Sequence, residues 1–214
     1  KGYLASIRKT LLNAEDDREL LAEVLTLPSE SYIGDQMEVI EVDAIHAART
    51  GLMRRIAQEL RQELFNVYKA NSDTGVFSHD HGAMAQRALK NTALGYLSML
   101  ERDAEVESLV RRQYASQQNM TDVSSALSFC VHAQMPLAGE LLADFERRWQ
   151  ALPLVMDKWF SIQATSRQPD LVPRIRALMQ HEGFTLGNPN RVRALIGAFV
   201  SGNPARFHAP DGSG

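Results

Sequence analysis

The chain has 214 residues, 44% hydrophobic and 23% charged, with a formal net charge of −3, so it can bury a substantial core and has the ordinary composition of a globular protein. A slightly acidic balance argues against a nucleic-acid or anionic-membrane partner, each of which favours a basic surface. No apolar run reaches the roughly 20 residues that span a bilayer. The single cysteine, Cys130 within ALSFCVHA, reads as a buried thiol with no internal disulfide partner. These features give the expectation of an intracellular, cytoplasmic chain. Its first residue is Lys and its last are DGSG, so it reads as a piece cut from a longer protein, with no signal-peptide core at its start.

Hydrophobic spacing predicts helix almost throughout. In residues 3–14 Leu4, Ile7, Leu11 and Leu12 share a face, and in 16–27 Leu20, Leu21, Val24 and Leu25 do so after an acidic first turn. PSESYIGDQM reads as a loop. The longest helix is expected over about 43–71, with Asp43 as N-cap and an apolar stripe of Ile45, Ala48, Leu52, Ile56, Leu60, Leu64, Val67 and Tyr68. After a turn at SDTGVFS, helices are expected near 80–100, 103–117, 121–134, 136–149, 153–165, 170–181 and 189–201. Their boundaries are marked by Asn119, Thr121, Pro136, Pro153, Pro169 and Gly187. Asp122 falls in a first turn, where its charge is favourable. Strand signals are nearly absent. Short helices joined by short turns predict an all-α fold, a right-handed superhelix of antiparallel helix pairs like HEAT or armadillo solenoids.

Catalytic chemistry is hard to find in this sequence. Six histidines occur: His46, His79, His81, His132, His181 and His208. His79 and His81 are two apart and cannot share a helix face, so capping and surface roles are expected for that segment. His181 opens HEGFT, where the second histidine of a His-Glu-x-x-His zinc motif is replaced by Thr185. The carboxylates of DAEVES (103–108) sit on an amphipathic helix and read as a solvated face. No nucleophile elbow, phosphate loop, Cys-x-x-Cys pair or dinucleotide fingerprint is present. No metal ligands are expected in this chain.

One stretch is chemically odd. In TLGNPNRVRALIGAFVSGNP (185–204) Asn188 suits an N-cap and Pro189 the first helical position. Arg191 and Arg193 then fall at the positive end of the helix, where a cation is disfavoured by up to about 1 kcal/mol. On a helical wheel Val192, Leu195, Ile196 and Phe199 form the apolar stripe and the arginines flank it on opposite sides. One arginine is thus free to pack or pair with a carboxylate while the other reaches elsewhere. MDKWF, with Met156, Trp159 and Phe160, reads as core.

Taken in order, EVLTLPSE (23–30), QNMTDVSSAL (118–127), LVMDKWFSIQATS (154–166), LGNPNRVRALIGAF (186–199) and NPARFHAPDGSG (203–214) resemble the C-terminal helical domain of the bacterial aminopeptidase N family, M1 zinc metallopeptidases, from near residue 16 to the end. That resemblance implies a single helical domain over 1–214, non-catalytic and truncated before its last helices. It would enclose the active-site cavity of a parent enzyme that removes N-terminal residues from peptides. Zinc, its His-Glu-x-x-His ligands and the Gly-x-Met-Glu-Asn segment would belong to an upstream catalytic domain, the domain's main partner, in a monomeric parent. The resemblance also implies that Arg193, the second arginine of NPNRxR, faces the substrate channel, with Asn188, Asn190 and Arg191 as its candidate supports. Its planar five-donor fork suits a peptide carbonyl or carboxylate. A free-standing helical-repeat scaffold for protein–protein interaction is the alternative.

Overall fold

The computed structural model describes residues 2–12, 17–72, 77–209 and 211–212. The expected helix end at Asn13 and Ala14, Asp16, residues 73–76 of the SDTGVFS turn, and Pro210, Ser213 and Gly214 of the last motif lie outside the described residues. Among the described residues all regular structure is helical and no strand occurs, so the all-α expectation holds. Two compact units divide within one helix, Lys1–Ala126 and Leu127–Gly214.

In the first unit the helices are α1 (Gly2–Leu12), α2 (Arg18–Val24), α3 (Glu30–Gly34), α4 (Val42–Glu59), α5 (Arg61–Ala70), α6 (His81–Leu97) and α7 (Ala104–Ser116), followed by the start of α8 (Met120–His132). Side-chain carboxylates and hydroxyls cap them where the sequence offers a short polar residue. Asp17 accepts from the Leu20 amide, Ser29 from Tyr32, Asp80 from Ala83, and Asp103 from Glu105 and Val106. The Ser29 cap starts a helix inside PSESYIGDQM, which therefore is not simply a loop. The core gathers where α5 meets α6 and where α2 and α4 also pack on α6. Ile56, Leu64, Leu89, Leu94 and Leu97 are fully buried there.

The expected helix over 43–71 is two helices. Leu60, at φ −120° and ψ 25°, separates α4 from α5 and is itself 1% exposed. Its backbone still donates to Ile56 O and accepts from the Leu64 amide, both at 2.9 Å, so the break leaves this residue's own hydrogen bonds intact. Glu41 holds the N-cap position without a side-chain bond, and Asp43 lies inside the first turn, contrary to its expected capping role. The stripe is also narrower than the period suggests. Leu12, Leu20 and Val24 are 71%, 58% and 46% exposed, and Ala48 is exposed too, because short helices bury only the residues that face a neighbour.

A buried polar cluster crosses the α6 core. Lys90 Nζ lies 2.5 Å from Asp122 Oδ2, with the two side chains 8% and 3% exposed. Asn91 Nδ2 donates to Asp122 Oδ1 at 2.9 Å and Asn119 Nδ2 to Asp122 Oδ2 at 3.0 Å. Gln113 donates to Asn91 Oδ1 at 2.7 Å and accepts from the Tyr68 hydroxyl at 3.1 Å. Burial raises the Tyr68 phenol above its ordinary pKa. Asn119 caps α8 by accepting from the Asp122 amide at 2.8 Å. Asp122 is thus a core anchor more than a helix-end charge, and Thr121 is an exposed helical residue with no capping role.

The second unit holds the end of α8, then α9 (Ala138–Trp149), α10 (Pro153–Ala164), α11 (Leu171–Leu178), α12 (Pro189–Val192), a π-helical turn (Arg193–Gly197), α13 (Ala198–Gly202) and α14 (Pro204–Phe207). Helix α10 is its centre: α9, α11, α12, the π-helical turn and α13 all pack on it. Its Met156, Trp159, Phe160 and Ala164 are 3% exposed or less, as MDKWF predicts. Pro153 starts it at a position where a missing N–H costs nothing. Trp159 Nε1 donates to Leu142 O at 3.0 Å, and Cys130 is completely buried.

His132, near the end of α8, sits 3.2 Å from Thr165 Oγ1 and 3.3 Å from Ile162 O through Nε2. Burial pushes its pKa down to about 4, and the positive charge of Arg167 adds to the effect. The folded state therefore holds the ring neutral while an unfolded chain protonates it near 6.5.

Two outcomes follow from these buried groups. Replacing Asp122 with Ala strands Lys90 without its counter-ion and should cost about 3–5 kcal/mol of unfolding free energy, whereas Thr121→Ala should stay within about 0.5 kcal/mol; urea unfolding of the two variants compares them. Because the unfolded state binds the extra proton, the His132 contribution is intact above about pH 6.5 and is lost as pH falls towards about 4. Unfolding free energy measured across that window should fall by up to roughly 3 kcal/mol, and His132→Gln should flatten the slope.

Candidate functional site

The two arginines of NPNRVR have opposite surroundings. Asn188 caps α12, its Oδ1 accepting from the Asn190 amide at 3.0 Å and the Arg191 amide at 3.3 Å, and Pro189 follows at the first helical position. This start aims Arg191 inward. Its guanidinium is 5% exposed and fully engaged. Nε donates to Asp157 Oδ1 at 2.6 Å, Nη1 to Gly183 O, and Nη2 to Pro153 O at 3.1 Å, while the fork stacks 4.7 Å above the Phe160 ring. One side chain thus ties α12 to the first turns of α10 and to Gly183, eight residues upstream.

Arg193 is exposed, and among the described residues its hydrogen bond is a long one, 3.4 Å from Nη1 to Asn190 Oδ1. Its donors are therefore available to a ligand as Arg191's are not. Asn188 caps the helix that carries both arginines, and Asn190 touches Arg193.

The helix predicted over 189–201 is interrupted at Arg193, which opens the π-helical turn. This changes the buried face: Ala194, Leu195 and Phe199 are 8%, 0% and 7% exposed, while Val192 and Ile196 are only half-buried. Two of the four residues in the expected stripe are thus displaced by Arg191 and Ala194. Ser161 on α10 donates its hydroxyl to Ala194 O at 2.9 Å.

Beside this segment His181 is held by two bonds, Nε2 to Glu146 Oε1 at 2.7 Å and Nδ1 accepting from the Gly183 amide at 3.0 Å, with Trp159 and Phe160 against the ring. The other histidines are equally dispersed. His46 pairs with Glu30, His81 with Glu19, and His79 packs edge-on to Phe77. Asp80, between the last two, is the cap of α6. Among the described residues no three His, Cys, Asp or Glu side chains converge. Of the DAEVES carboxylates, Asp103 is more than a solvated group. Burial raises its pKa, but the Arg61 guanidinium and the amides it caps outweigh this and hold it below the ordinary value.

Gly183 and Ser161 were not legible as partners in the sequence, and Asp157 in MDKWF could be read as a residue that pairs with a neighbour but not with which one. A basic residue at a helix start was the one available sign that a carboxylate waited nearby. Lys90 and Asn91, embedded in the apolar spacing of Leu89, Ala93, Leu94 and Leu97, were a similar signal for the Asp122 cluster.

All 214 residues match the family described as "Domain of unknown function (DUF3458_C) ARM repeats", and the chain belongs to it, a family of helical repeats. Within that class it is homologous to the C-terminal helical domain of bacterial aminopeptidase N: it is 42% identical to aminopeptidase N of Escherichia coli strain K12 over 98% of its length. The corresponding protein of Haemophilus influenzae is 37% identical over 99% of the chain. A crystal structure of Legionella pneumophila aminopeptidase A in complex with aspartic acid superposes with a TM-score of 0.86 at 27% identity, covering 98% of this chain and 26% of that one. The chain spans about a quarter of its curated relatives, 24% of the Escherichia coli protein.

The unequal settings of the arginines predict unequal costs. Arg191→Ala leaves the part-buried Asp157 without its partner and empties the Arg191 pocket, and should destabilise by about 2–4 kcal/mol; Arg191→Lys should recover little, since an ammonium cannot fill the fork. Arg193→Ala should stay within about 0.5 kcal/mol. Chemical unfolding of the three variants measures these differences.

Proposed function

We propose that this chain is a non-catalytic part of a zinc-dependent M1 aminopeptidase, a single helical domain that encloses the active-site cavity and governs which peptides reach it. The observation that carries the reading is the 42% identity to aminopeptidase N along 98% of the chain. Zinc and the residues that activate water belong in this reading to the upstream catalytic domain, which is also the principal partner. The parent is a cytoplasmic monomer acting on peptides. No helix among the described residues is long and apolar enough to cross a membrane.

Within that reading Arg193 meets the peptide beyond the scissile bond. Its exposure and its long contact to Asn190 support the role, because its remaining donors can bind a peptide carbonyl or terminal carboxylate. Arg191, fully occupied by Asp157, Gly183 and Pro153, supports rather than binds.

The test uses the complete aminopeptidase. Arg193→Ala should lower kcat/KM for longer peptides by roughly tenfold, the worth of one charge-assisted hydrogen bond in a partly hydrated channel. Turnover of a dipeptide-length aminoacyl reporter, too short to reach Arg193, should be unchanged. Equal losses on both substrates would contradict a substrate-facing Arg193, and a complete enzyme with no aminopeptidase activity would overturn the wider reading.

A further inference from the structure

We propose that Ser161 is a positioning residue for Arg193, acting through the π-helical turn Arg193–Gly197; this rests on the reading of Arg193 given above. The turn is where the chain departs from the 3.6-residue period. Arg191, Leu195 and Phe199 follow one another at spacings of four and share the buried side of this segment. The π-helical turn contains one extra residue, worth about 100° on the helical wheel. Arg191, Leu195 and Phe199 are 5%, 0% and 7% exposed on either side of it and within it. Arg193, two positions beyond Arg191 and the first residue of the turn, faces outward, within reach of Asn190 Oδ1.

A π-helical turn is a rare and weakly favoured conformation, so this segment needs outside contacts to hold it. Helix α10 supplies two, from residues four apart and therefore on one face. Asp157 holds Arg191, just before the turn, and Ser161 donates its hydroxyl to the Ala194 carbonyl inside it at 2.9 Å. Side-chain groups inserted at the backbone ladder are a recognised cause of local departures from the α-helical pattern. Ser161 reaches Arg193 through this backbone contact at Ala194, so it directs where the guanidinium points without taking part in binding.

The experiment compares Ser161→Ala, Ser161→Thr, Arg193→Ala and the Ser161→Ala/Arg193→Ala double variant in the complete aminopeptidase, each assayed on a dipeptide-length reporter and on a longer peptide. Ser161→Ala should lower kcat/KM for the longer peptide by roughly two- to tenfold, the net worth of one hydrogen bond, and leave the reporter unchanged. Thr, which keeps the hydroxyl, should restore the longer peptide, and the double variant should be no worse than Arg193→Ala alone. A Ser161→Ala loss equal on both substrates, or one that multiplies with the Arg193→Ala loss, would overturn the positioning role. If Arg193→Ala discriminates by length and Ser161→Ala does not, only the role of Ser161 falls; if Arg193→Ala does not discriminate either, the substrate-facing reading of Arg193 falls with it.

Discussion

The buried guanidinium of Arg191 is the constraint around which the end of the second unit is arranged. Removing a cation from water is expensive, and the expense is recovered only when every donor finds an acceptor in good geometry. Here the Asp157 carboxylate, the Gly183 and Pro153 carbonyls and the face of Phe160 provide them. The small penalty for a cation near a helix start, at most about 1 kcal/mol, is outweighed by this set. It also specifies the backbone: the 181–187 turn must present a carbonyl at Gly183, and α10 must begin at Pro153 so that its first carbonyl faces α12. Interactions of this kind distinguish one arrangement of helices from near alternatives more than they add stability.

The first unit uses the same chemistry in a different place. Lys90 and Asp122 form its buried ion pair, Asn91 and Asn119 also donate to the carboxylate, and Gln113 donates to the Asn91 side-chain oxygen and the Asp122 carbonyl. A mispaired packing of α6, α7 and α8 would leave these groups unbonded in an apolar core, at a cost of several kcal/mol. Leucine and alanine contacts alone would tolerate such shifts far better.

Helical class, most helix positions and the caps at Asn188 and Asn119 could be read from the sequence, because short polar side chains beside apolar periodicity have a local physical meaning. The break at Leu60 could not, since leucine is a good helix former and nothing local interrupts its pattern. The π-helical turn was hidden for a related reason. A period of 3.6 projected through Arg193 gives a plausible stripe, and the contact made inside the turn, Ser161 to the Ala194 carbonyl, comes from a helix 33 positions away in sequence. The arginine pair was visible as an anomaly, but which one was buried depended on Asp157, a carboxylate 34 positions away whose orientation no local pattern reveals.

Cys130 turns the second unit into its own reporter. It is the chain's only cysteine and is completely sealed from solvent, so a thiol-reactive reagent can reach it only when the packing around α8 opens. Where opening and closing are fast relative to the chemistry, the labelling rate is set by the free energy of that opening and not by the reactivity of an exposed group. The local resistance of this helix can thus be followed in the natural sequence, without an engineered probe and without a signal from any other side chain.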